Sequence, residues 1–385
     1  MSKTMKPILK DISSNSKDAS TQVIANEISK LTSKRNLNLD LIRCVAIFFV
    51  ISVHFLLNTS FYATVVCSKK MYLLILLRVI FISCVPLFMM LTGYLMSKKE
   101  PTKEYYKKIS RVVVTYVICS LLCILFKMLY KGQAFSFRNI VSSILNFSAC
   151  NYAWYIEMYL GLYIIIPFLN KVYNACKDKK EKQLLIIAFV LLTIAPITLN
   201  IYFKIIPSFW VQLYPITYYF VGTYLRDYTP KVNKKKAIPL LAGLILVFGT
   251  FNYFHFYKKY FDFSAFAGEA GIETFIIAIL IFCILMSLDL KKISKNTASL
   301  ITKISELSLG MYLLSYIFDD IFYHCDLMKN APTMIEQFKY YFVIVPVVFV
   351  CSAYTSQIVE WIRLGLSWTW KQVYKGFNAI GSKIK

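Results

Sequence analysis

The sequence predicts an all-α, polytopic integral membrane protein with about ten transmembrane helices, both termini in the cytoplasm and no soluble domain. Three observations carry this. The 385 residues are 58% hydrophobic and 16% aromatic, yet they hold 44 Lys and Arg against 20 Asp and Glu, a formal net charge of +24. The apolar residues come in runs close to the 17–25 that a helix needs to cross the hydrocarbon core. Basic clusters punctuate those runs. A soluble nucleic-acid binder can be this basic, but it could not keep so much apolar surface out of water. A disordered chain would not be so apolar. The lipid bilayer is therefore the expected partner, and nucleic acid is not.

Each element follows in order. Residues 1–38 are polar, with Ser-rich and Lys-bearing stretches and no apolar core before a cleavage site, so they read as a disordered cytoplasmic basic tail rather than a signal peptide. Apolar runs follow at about 40–57, 71–96, 111–130, 151–170, 184–203, 211–225, 237–255, 270–288, 307–325 and 339–362. Pro86, Pro167, Pro196 and Pro346 fall inside runs, where kinks are expected, and Pro215 makes the short sixth run the weakest. The transmembrane domain is expected over 39–363 and a cytoplasmic basic tail over 364–385. With the N-terminus inside, 32 of the 44 basic residues fall in cytosolic tails and loops, ten fall on the opposite side, and only Arg43 and Arg78 stand inside spans. That asymmetry places both termini in the cytoplasm, which an even number of spans satisfies.

Cysteine usage fits this class. The ten Cys lie mostly within apolar runs and form no CxxC pair, so neither a disulfide framework nor a metal site is expected. No P-loop, GxGxxG, GxSxG or HExxH motif occurs, and no permanently bound cofactor is expected.

Ionisable groups inside lipid are costly, about 2.5–3.5 kcal/mol each, and so carry information. Arg43 and His54 are eleven residues apart in the first run. Eleven residues turn a helix about 1100°, close to three full turns, and span about 16 Å. One face thus bears Arg43 near the cytosolic end and His54 toward the other. Asp40, three residues before Arg43, shares that face and can pair with it. Two readings stand for each: a snorkelled interfacial pair and a core histidine, or a polar seam crossing the bilayer. Glu157, near the start of the fourth run, needs a cation, a proton or an interface, and Arg78 in the second run either pairs with it or snorkels. Asp319 and Asp320 read as facing outer water, and His255 and His324 as interfacial. Lys107, Lys108 and Arg111 open the third run from inside.

These residues resemble the signatures of the membrane acyltransferase-3 family. Asp40, Arg43 and His54 match its D-x-x-R and R-x10-H pattern. Val85-Pro86-Leu87-Phe88 with Thr92-Gly93-Tyr94-Leu95, Trp154 to Pro167, Tyr218 to Arg226 and Leu307 to Leu314 are similar to four further motifs, in the family's order. The resemblance runs over about residues 37–365, and stand-alone surface-polysaccharide O-acyltransferases are the most similar branch. One departure stands out: Ser315 occupies the place where the ninth-helix motif often has His, and His324 lies about 180° round the helix from it.

The resemblance implies a bacterial inner-membrane, multi-pass enzyme, by default an O-acetyltransferase. Acetyl-CoA or another acyl-CoA is its cytosolic co-substrate, and a cell-surface or lipid-linked glycan is its acceptor. His54 is expected as general base or acyl carrier at the reacting end, Arg43, held by Asp40, as the group that helps bind or orient CoA, and Glu157 on the acceptor side. Arg43, Lys107, Lys108 and Arg111 would bind the CoA phosphates. Arg78, Trp154, Tyr155 and Tyr159 would bind the sugar. Two rivals are a glycan exporter and a non-catalytic accessory subunit. An exporter would favour matched broken helices in two halves, and no clear internal repeat is present.

Overall fold

Caps and prolines set the helix boundaries. A computed structural model describes residues 35–262, 268–331 and 333–381, with side chains to residue 369. The expectation for the N-terminal tail therefore lies, up to residue 34, outside the described residues. All ten predicted runs are helical: α1 (Leu37–Asn58), α2 (Lys69–Phe81) with α3 (Cys84–Met96), α4 (Ile109–Lys131), α6 (Trp154–Ala175), α7 (Lys179–Thr193), α8 (Tyr214–Asp227), α9 (Lys234–His255), α10 (Ile272–Met286), α11 (Lys295–Tyr323) and α12 (Tyr341–Gly381). Between α4 and α6 lies a short amphipathic helix, α5 (Phe137–Leu145), with no buried residue. Ser68, Ser136, Asp178 and Ser294 each accept a backbone N–H of the following first turn, which fixes where α2, α5, α7 and α11 begin.

Two expected runs break, and proline gives the reason. Pro86 has no N–H for the carbonyl four residues back, and its ring crowds that turn, so the second run parts at Ile82–Ser83. Pro196 does the same to the fifth, leaving α7 and a short helix at Ala195–Leu199. Pro215 instead sits in the first turn of α8, where a missing N–H costs nothing. The last helix does not end near 362 but continues to Gly381.

Among the described residues, five stretches are by themselves long and apolar enough to cross a membrane: Leu37–Asn58, Lys69–Met96, Lys103–Lys131, Lys234–His255 and Met334–Thr369. The other helices are shorter or more polar. α8, with only 14 residues, hides most of its side chains inside the bundle, whereas α9 buries only Ala237, Gly249 and Asn252 and lies at the periphery. Among the described residues there is no strand, only two isolated bridges joining the loops near Val65–Val66 and Tyr257–Tyr260.

From Asn38 onward the chain is one compact unit. The most extensive packing joins α11 to α12 and α3 to α8. Glycines permit both. A methyl on Gly93 would run into the carbonyl of Tyr219, one on Gly222 into that of Met90, and one on Gly310 into the Ser356 hydroxyl. Two motifs that are far apart in sequence, Thr92–Leu95 and Tyr218–Arg226, are thus the two sides of one helix crossing. Twelve residues of α1 are buried, His54 and Asp40 among them, so this helix runs through the core.

Candidate active site

The first cluster joins the start of α1 to α11. Asp40 and Arg43 stand 3.7 Å apart. Ser305 ties them together: Arg43 Nη1 donates to its hydroxyl at 2.7 Å, and that hydroxyl donates to Asp40 Oδ1 at 2.6 Å. Just before Asp40, Asn38 Nδ2 donates to the carbonyls of Leu285 and Leu288 at 2.9 and 2.8 Å, fixing this end of α1 against the exit of α10.

The second cluster lies near the far ends of the same two helices. His54 is 6% exposed and Asp319 is 1% exposed. His54 Nδ1 lies 3.3 Å from Asp319 Oδ2. The Tyr152 hydroxyl donates to the same oxygen at 2.8 Å, and its ring stacks on the imidazole with centroids 3.7 Å apart. Asn58 Nδ2, one turn beyond His54, donates to the Tyr152 oxygen at 2.9 Å. A carboxylate beside one ring nitrogen fixes the orientation of an imidazole and stabilises it when it takes a proton at the other. Asp319 was expected to face water. It faces inward because α11 turns its Ser305, Tyr312 and Asp319 side toward α1. Asp320, the next residue, is half-buried rather than wet and stands 2.7 Å from Lys131 Nζ.

Two cavities approach these clusters. One, of about 200 Å³, is lined by Arg43, Tyr155, Tyr159 and Ser308 with apolar side chains of α1, α3 and α4. The other, of about 420 Å³, is lined by His54, Trp154, Gln212, Tyr214 and Glu269 among others. Val50, Val85 and Tyr312 belong to both linings. A cation-bearing chamber and an imidazole-bearing chamber therefore abut at three side chains.

The remaining predicted residues divide. Lys107, Lys108 and Arg111 are exposed and line neither cavity, although Val112, next to Arg111, lines that of Arg43. Arg111 also reaches Glu360 of α12 at 3.3 Å. Trp154, 43% exposed, is on the His54 cavity, whereas Tyr155 and Tyr159 are on the Arg43 cavity, so the three aromatics do not form one surface. Glu157 is exposed and lines neither cavity. Arg78 is fully buried elsewhere: its Nε donates to the Tyr62 hydroxyl at 2.9 Å and its guanidinium lies 4.6 Å from the Phe261 ring. The two are not brought together as a pair. Arg78 instead lies within electrostatic reach of Glu269, in the loop before α10. Burial pushes the Glu269 carboxyl up from its ordinary range, against the pull of Arg78. Ser315 is buried and donates to the Tyr312 carbonyl, and His324 is exposed beside Asp320.

Sequence reasoning missed Asp319, Tyr152, Ser305 and Glu269. A signal existed for two of them: Ser305, Tyr312 and Asp319 repeat every seven residues, which keeps them on one helix face. Nothing comparable marks Tyr152 or Glu269, which lie in loops. Among the described residues, no group of three or more His, Cys, Asp or Glu is placed to hold a metal ion.

A buried imidazole backed by a carboxylate, set in a membrane bundle between two chambers, is an arrangement suited to moving a group between substrates that meet there. A family model described as an acyltransferase domain matches residues 36–356. The chain belongs to that family, the membrane acyltransferase-3 family whose motifs it carries, and is a multi-pass membrane acyltransferase. No curated protein and no solved structure matches it.

Proposed function

We propose that the protein is an O-acyltransferase of the bacterial cytoplasmic membrane. It would move a short acyl group, acetyl by default, from cytosolic acyl-CoA to a hydroxyl of a cell-surface or lipid-linked polysaccharide. The observation that carries this reading is the pair of abutting cavities, with Arg43 in one and His54 in the other. CoA is highly charged and cannot enter lipid, so its phosphates stay at the inner rim with Lys107, Lys108, Arg111 and Arg43. Its uncharged arm lies in the Arg43 cavity along Tyr155 and Tyr159, and the thioester reaches the boundary with the His54 cavity. The acceptor enters from the other side, past Trp154, Gln212 and Glu269.

The chemistry then needs one base. His54 takes the proton of the acceptor hydroxyl on its second ring nitrogen, while Asp319 holds the first and stabilises the imidazolium. The hydroxyl oxygen attacks the thioester carbonyl, a C–O bond forms, the C–S bond breaks, and the proton returns to the departing thiolate. Atoms balance without a further reactant. His54→Ala should abolish CoA-dependent transfer of labelled acyl groups to surface glycan at unchanged protein level. Full transfer by that variant would sink the mechanism, and export of unmodified glycan without any transfer would favour a transporter.

A further inference from the structure

We infer that Tyr312, with Val50 and Val85, forms a neck that sets the length of the acyl group the enzyme accepts. This rests on the reading above and adds a specificity-determining residue to it. The three side chains are the ones that the two cavities share. All three are buried, Tyr312 with 8% of its surface exposed. Its ring lies between the chambers, 5.5 Å from Tyr155 on the inner side and 6.3 Å from His54 on the outer side by ring centroids.

The ring is not free to swing aside. Its hydroxyl donates to the carbonyl of Tyr152, the residue that stacks on His54. Its backbone cannot retreat either, because α11 presses on α12 at Gly310, where the Ser356 hydroxyl donates to the Leu307 carbonyl at 2.8 Å. A thioester presented to His54 from the Arg43 side must place its acyl carbons at this neck. Each added methylene asks for room that two valines and a fixed aromatic ring already fill. A rigid apolar pocket discriminates by about tenfold or more for each methylene.

The test uses inverted membrane vesicles from cells producing the full chain, which supply the enzyme and the native glycan together. Acetyl-, propionyl- and butyryl-CoA are offered in competition, and ester-linked acyl groups are released from the glycan by base and counted. The ratio within one sample does not depend on how much protein is folded. The wild-type butyryl-to-acetyl ratio should fall about a hundredfold below the ratio offered, two methylenes being involved. Tyr312→Ala should raise that ratio by about tenfold or more. Tyr312→Phe, which keeps the ring but frees it from the Tyr152 carbonyl, should raise the ratio less than Tyr312→Ala does. Val85→Ala widens the neck from the opposite helix and should shift the ratio in the same direction, even where Tyr312→Ala fails to fold. A ratio unchanged in every widened variant that still transfers acetyl overturns the neck and leaves the acyltransferase reading intact. So does a Tyr312→Phe ratio as relaxed as that of Tyr312→Ala. Absence of any acyl transfer by the wild type takes down both.

Discussion

Replacing the Asp319 carboxylate by an amide is the smallest change that separates orienting His54 from filling space beside it. Asp319→Asn keeps the volume and the contact with the Tyr152 hydroxyl, but it removes the negative charge that an imidazolium needs at 3.3 Å. Acyl transfer should fall by about a hundredfold or more, the usual worth of a positioned general base. Tyr152→Phe keeps the stacked ring but loses the hydrogen bond to Asp319 and the one from Asn58, so its cost should be nearer tenfold, about 1.4 kcal/mol. Because the three groups act as one unit, the double variant should be scarcely worse than Asp319→Asn alone. Wild-type rates in Asp319→Asn, measured as labelled acyl transfer, would remove Asp319 from the site. Half of this site was legible in the sequence. Arg43 and His54 announce themselves by their spacing within a single helix. Asp319 sits beside Asp320 near a helix end and looks wet, and only the approach of α1 decides which of the two is buried.

Helix order was more legible than helix contact. Hydropathy places all ten runs, and proline chemistry explains the breaks at Pro86 and Pro196, but neither says which helix lies against which. The motif glycines do carry that information once the partner is known. Gly93 and Gly222 let α3 and α8 touch backbone to backbone, and Arg226 of α8 donates to the Tyr94 carbonyl and the Ser97 hydroxyl at 3.0 Å each, locking the same crossing at its end. A methyl at Gly222 meets backbone rather than a flexible side-chain tip, so the helices must separate. Gly222→Ala should therefore cost about 1–3 kcal/mol, as overpacked cores do, and lower the melting temperature in detergent. Gly161→Ala is the control, since nothing stands near a methyl there. Equal melting of the two variants would show that the α3–α8 crossing yields without cost. α5 was missed because it is too short to read as a span, although Ser136 caps it and Phe137, Val141 and Leu145 recur at helical spacing.

At the scale of the whole molecule the contacts sort into two ends. Asp40, Arg43 and Ser305 meet at one, together with Arg111–Glu360 and Lys182–Asp227. His54, Asp319 and Tyr152 meet at the other, with Lys131–Asp320 and the loop pair Val66–Lys258. Ser305 to Asp319 is fourteen residues, the same as Asp40 to His54, so α1 and α11 run in the same direction. The first and ninth of ten alternating spans must do so. We propose that the Arg43 end faces the cytosol, because in the sequence 32 of the 44 basic residues belong to the tails and loops on the N-terminal side of the first span and ten to those on the other side. Cys67 tests this without a new residue. It is exposed, in the loop between α1 and α2 at the His54 end. A membrane-impermeant maleimide added to intact cells should label the protein, and Cys67→Ser should remove most of that label. Cys176 follows α6 at the opposite end and should stay unlabelled until the membrane is opened. The reverse order would turn the molecule over, and would put the basic rim near Arg43 on the side where no acyl-CoA is found.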